Sequence, residues 1–106
     1  MKLTDLQLAE WDQTSKSIAN LGTFEVLQLN LAKVTGIDIK GRQNLVAVNS
    51  DGEVKWVAEL PEGNFNYGYF NNFTYKGKKL KGWYGGSIYV EVDIETGKIV
   101  KENKVN

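Results

Sequence analysis

Along the first twenty residues the apolar positions recur at helical spacing, and from Ile37 onward they alternate. The helical part opens on a complete start signal. Thr4 is an N-cap, Gln7 three residues later completes a capping box, and Leu3 and Leu8 stand at the two positions of a hydrophobic staple. Leu8, Trp11 and Ile18 then fall near one helical face, interrupted by Ser15, and Gly22 is placed to end the helix in the left-handed conformation. The next stretch, "TFEVLQLNLAKVTG" (23–36), fits two periods. Phe24, Leu27, Leu31 and Val34 make a helical face, whereas Leu27, Leu29 and Leu31, separated by Gln28 and Asn30, make a strand. Its middling helix formers tip the reading to strand.

The remainder reads as β. "IDIKG" alternates, and "LVAV" runs through "NSDG" into "EVKWVAEL", a hairpin with a type I turn over Asn49-Ser50-Asp51 and Gly52 at the left-handed bulge position. Pro61 and Gly63 close that unit. "SIYVEVDI" sets Ile88, Val90, Val92 and Ile94 on one face and Tyr89, Glu91 and Asp93 on the other. "ETG" turns it into "KIVKENKV", with Gly97 in the role of Gly52. The expectation is an α+β fold in a single domain, 1–106: an N-terminal helix packed on an antiparallel meander sheet of five or six strands.

The hairpins "LVAVNSDGEVKW" and "SIYVEVDIETGKIV" resemble those of quinoprotein-like β-propeller blades, whose strands run through Asp-Gly or Thr-Gly turns to a tryptophan. The second copy departs from that pattern, with Val100 and Lys101 where the tryptophan would stand. The resemblance covers about a quarter of the chain and implies meander hairpins; no activity or cofactor follows from it, since one domain of this length does not close a propeller.

"GNFNYGYFNNFTYKG" (63–77) holds six of the twelve aromatic residues. Phe65, Tyr67, Tyr69, Phe73 and Tyr75 share one parity, with Phe70 the exception, so five rings would line one side over about 35 Å at ~3.3 Å per residue. That exceeds a usual strand, and a bend or turn is expected near Asn71-Asn72, with the next reversal at Lys76-Gly77. The stripe reads first as the sheet's buried face, packed on the helix through Trp11 and Ile18. Its tyrosines, which favour half-wet surroundings, read as a contact surface.

Composition narrows the chemistry. Thirteen basic and thirteen acidic residues cancel, and Arg42 is the sole arginine, which weakens any claim of phosphate or carboxylate recognition through a bidentate guanidinium. With neither cysteine nor histidine, disulfides, thiol nucleophiles, imidazole catalysis and most transition-metal sites are excluded. Glu91 and Asp93 on one strand face are the nearest thing to a catalytic pair, and they read as solvated charge. Neither a phosphate loop nor a calcium loop is present, so no cofactor and no metal is expected. The apolar runs are too short for a membrane span, and "MKLTDLQLAEWDQ" lacks a leader's pattern, which reads as cytoplasmic.

The function expected is non-enzymatic protein binding, as in a small inhibitor or immunity-type protein, an analogy rather than a residue signal. Tyr67, Tyr69, Trp83 and Tyr84 are its anchors, with Gly82, Gly85 and Gly86 admitting a partner's backbone. The alternative is a carbohydrate-binding, lectin-like module using Trp83 or Tyr84 as platform and Asn66, Asn71 and Asn72 as hydrogen bonders. Third is single-stranded nucleic acid, on "NYGYFNNF" and the lysines of "KGKKLKG". An unpaired terminal strand would also permit a homodimer.

Overall fold

The computed structural model describes residues 2–30, 43–61 and 69–104. Among the described residues one helix, α1 (Asp5–Thr14), is followed by eight strands: β1 (Lys16–Asn20), β2 (Phe24–Gln28), β3 (Leu45–Asn49), β4 (Val54–Val57), β5 (Phe70–Lys76), β6 (Lys79–Tyr84), β7 (Ile88–Val92) and β8 (Ile99–Lys104). They form two antiparallel four-stranded meanders, β1-β2-β3-β4 and β5-β6-β7-β8. The expected helix and antiparallel pairing are present, but in place of one sheet of five or six strands there are two sheets of four. The alternation "IDIKG" lies outside the described residues.

The N-terminal start signal operates as its residues dictate. Gln7 donates its backbone N–H to Thr4 Oγ1 at 3.2 Å, and Thr4 N–H donates to Gln7 Oε1 at 2.9 Å. The helix nevertheless stops at Thr14, with Ser15 already extended. Ile18 belongs to β1, at a bulge between Ser17 and Ala19, and packs on the core from there. Gly22, expected to cap the helix, has φ +86 in the turn joining β1 to β2. β2 makes the first part of the ambiguous stretch strand, over Phe24–Gln28; its last part, 31–36, lies outside the described residues.

Two apolar layers follow from strands covered on both faces. Leu45 and Ala47 of β3 face the second sheet, in a core shared with Phe24, Val26, Trp56, Phe70, Phe73, Leu80, Tyr84 and Val90. Val46 and Val48 face the other way and, with Leu27 and Leu29, receive Leu3 and Trp11 from the helix side. The run "LVAV" is apolar throughout because neither face of β3 is wet. Trp11 and the rings of β5 are therefore on opposite sides of the first sheet, which corrects the expectation that the aromatic stripe packs on the helix.

Asn44 is one pin between the sheets. Buried at 3 % exposure, it accepts the Phe70 N–H at 2.7 Å through Oδ1 and donates Nδ2–H to Phe70 O at 2.9 Å. Asn44→Ala strands both buried groups, each costing about 1–3 kcal/mol. The expected loss is roughly 2–4 kcal/mol in a urea titration. A loss under about half a kcal/mol, the scale of an ordinary surface change, would show that the pin is dispensable.

Candidate functional site

The hairpins bring the second sheet's residues together in complete cross-strand rows. β5 and β6 reverse through Gly77 and Lys78, both with positive φ (61° and 64°), the type I′ geometry that suits strand twist. Asn72, with φ 54, sits in an irregularity of the β5 ladder between Asn71 and Thr74. A bulge of this kind shifts parity. Phe70 and Phe73, three residues apart, both turn inward and are buried, while Tyr69 stays exposed. The expected bend at Asn71-Asn72 is this bulge, and it overturns the single-parity ladder. Phe70, its exception, becomes the central ring of the core, edge-on to Phe73 at 5.6 Å and to Tyr84 at 5.1 Å.

Register then defines the outer face. Asn71 pairs with Trp83, Trp83 with Tyr89, and Tyr89 with Asn103. The next row is Thr74, Lys81, Glu91 and Lys101, and beyond it Lys76 pairs with Lys79. The face thus grades from an aromatic pair flanked by amides to a field of lysines. Trp83 and Tyr89 meet edge to face at 5.7 Å. Tyr89 donates its hydroxyl to Glu91 Oε2 at 3.2 Å, and the Lys79 and Lys101 ammoniums approach the same carboxylate at 3.7 and 3.9 Å. Burial first, then the carboxylate that accepts its proton, raise the Tyr89 pKa above the ordinary 10.0. The neutral phenol is therefore a contributor to stability below that value, and the contribution is lost as pH climbs through the raised pKa.

The four expected anchors separate. Tyr69 is 49 % exposed and Trp83 half-buried on the outer face; Tyr67 lies outside the described residues. Tyr84 is 2 % exposed in the core and cannot be a contact residue. Adjacent strand residues face opposite sides, so Trp83 and Tyr84 could not both have been anchors. Gly82 is corrected likewise: the Phe73 ring lies directly over it, leaving no room for even a Cβ, let alone a partner's backbone. Tyr89 and Asn103 were missed as candidates, and only the register of β7 and β8 places them beside Trp83.

Other expected chemistry finds its groups in use. Asp93 Oδ1 accepts the Glu95 N–H at 2.8 Å within the β7–β8 turn, and Glu91 is buried among its three partners rather than solvated. Asn71 spends its amide donors on Gly85 O at 2.9 Å and Tyr69 O at 3.2 Å, and Asn72 donates to Asn71 Oδ1. Among the described residues no cluster of three or more acidic side chains is arranged to hold a metal, and no helix is long and apolar enough to cross a membrane.

No curated protein and no solved structure matches the chain. One family model, a domain of unknown function (DUF7957), matches residues 7–104, a span that includes nearly all of α1 and every strand of both sheets. The chain belongs to the DUF7957 family.

Proposed function

We propose that this is a non-enzymatic protein-binding domain of the cytoplasm, of the inhibitor or immunity type, whose contact surface is the outer face of β5–β8. One observation carries the reading. The first sheet's outer face is covered by α1 through Trp11, whereas among the described residues no element covers the second sheet's outer face, and that face holds Trp83 at its aromatic end. Half-buried aromatic residues on an otherwise polar sheet are what interface hot spots are made of.

Two observations favour protein over the other ligands. A sugar would need free amides, and Asn71 and Asn72 are committed to the β5 bulge. A nucleic-acid strand would need the rings of "NYGYFNNF" in the open, and Phe70 and Phe73 are buried between the sheets.

Trp83→Ala is expected to weaken binding of the partner from the source organism's lysate by roughly thirtyfold, about 2 kcal/mol at a hot spot, while unfolding stays cooperative. Undiminished retention would remove Trp83 from the interface. Loss of cooperative unfolding would assign it to the core instead.

A further inference from the structure

We infer that the partner presents an acidic segment with one apolar anchor to the outer face of β5–β8. This rests on the protein-binding reading and adds the chemistry of the occupant.

The chain's zero net charge conceals a division between its halves. Residues 69–106 carry seven lysines and four acidic residues, a surplus of three positive charges; residues 1–68 carry six basic and nine acidic residues, the opposite surplus. Strand direction then concentrates the positive half. Lys76, Lys79, Lys81 and Lys101 stand in adjoining outer rows of the second sheet, with Glu91 as the acid among them.

Charged hydrogen-bonding groups on that face lean the same way. Its main acceptor, the Glu91 carboxylate, is nine-tenths buried and already takes the Tyr89 hydroxyl, Lys79 and Lys101. Lys76 and Lys81 have no carboxylate partner among the described residues, and the Trp83 indole N–H has no acceptor there. What remains on offer beside the aromatic pair is the two lysine ammoniums and the indole N–H, with the Thr74 hydroxyl and the Asn103 amide, which both donate and accept. A carboxylate-rich segment satisfies those donors, and one apolar side chain of the same segment fills the Trp83–Tyr89 end. Rows two residues apart are separated by about 6.5–7 Å, the spacing of alternate side chains on an extended segment.

A phosphate backbone fits less well. Phe70 and Phe73, rings on which the bases of a strand would stack, are buried between the sheets.

The test is a random peptide display library selected on the folded chain, counter-selected on Trp83→Ala, with a thymidine oligonucleotide titrated in parallel. Enriched peptides are expected to be acidic with one aromatic or aliphatic anchor. Their binding should weaken with added salt and fall at least about tenfold in the double variant Lys76→Glu, Lys81→Glu. Urea titration of that variant checks that the fold is kept, and Lys81→Gln alone, which adds no like charge, should give a smaller loss in the same direction. Enrichment of neutral or basic peptides that still need Trp83 would overturn the acidic partner and leave the protein-binding face standing. No enrichment dependent on Trp83 would overturn both. Tighter binding of the oligonucleotide than of any selected peptide, lost in the lysine variant, would replace a protein partner by nucleic acid.

Discussion

Gly97→Ala is expected to destabilise the protein by roughly 2–5 kcal/mol, from an L-residue held in the left-handed region (about 1–2) and an overpacked contact (about 1–3). Gly97 has φ +74, and a Cβ built on it would lie 2.6 Å from Cδ2 and Cε3 of Trp56. Trp56 comes from β4 of the first sheet, whereas Gly97 is in the β7–β8 turn of the second. The indole lies flush on the turn's backbone because glycine leaves the space. Its Nε1–H donates to Ile94 O at 2.9 Å, and Glu59 N–H donates to Gly97 O at 2.9 Å. Alanine must displace the indole and with it the join between the sheets. Gly77→Ala is the control, since Gly77 also has positive φ but open space around its missing Cβ. It should cost only the backbone share, and the difference between the two midpoints in denaturant measures the packing. Equal losses would mean that Trp56 does not need the turn.

Trp11→Ala is expected to cost about 3–5 kcal/mol, the range for deleting a fully buried large aromatic ring. Trp11 is 0 % exposed, held among Leu3, Leu27, Leu29, Val46 and Val48. A helix of ten residues does not persist in water on propensity alone, so burial of this ring is what keeps α1 on the sheet. The variant should lose helical circular dichroism before the strands melt. Leu6→Ala, at a helix position 84 % exposed, should change stability by no more than about half a kcal/mol. A Trp11→Ala protein with intact helix signal and unchanged midpoint would contradict the packing described.

Features set by neighbours in sequence were legible. The capping box reads directly from Thr4 and Gln7, and the turns at Gly52, Gly77 and Gly97 from glycines that adopt positive φ. Features set by distant contacts were not. β1 was hidden because Ile18 continues the spacing of Leu8 and Trp11, and its single partly buried apolar side chain sits at a bulge, leaving no alternation to see. The division into two sheets was written faintly in "LVAV", whose unbroken apolar run demands cover on both faces. Parity along β5 failed at Asn72, where one left-handed residue turns Phe73 to the core beside Phe70, while Tyr69 faces the surface by ordinary alternation. At the site, Trp83 and Tyr69 could be picked out as aromatic residues in a polar setting. Tyr84 was separable from Trp83 by strand alternation alone. Tyr89, Lys81, Lys101 and Asn103 needed the register, because what makes them neighbours is hydrogen bonding between β6, β7 and β8.

The proposed partner is expected to meet the outer face of β5–β8 and not the helical side. A photoreactive benzoyl-phenylalanine put in place of Asn103, which shares the Trp83–Tyr89 row and is exposed, tests it while keeping both rings. The companion variant carries the same group in place of Leu6 on α1. Irradiation in the source organism's lysate is predicted to join one partner protein to the chain through position 103 and none through position 6. Crosslinking through position 6 alone, or through neither position, would contradict the account.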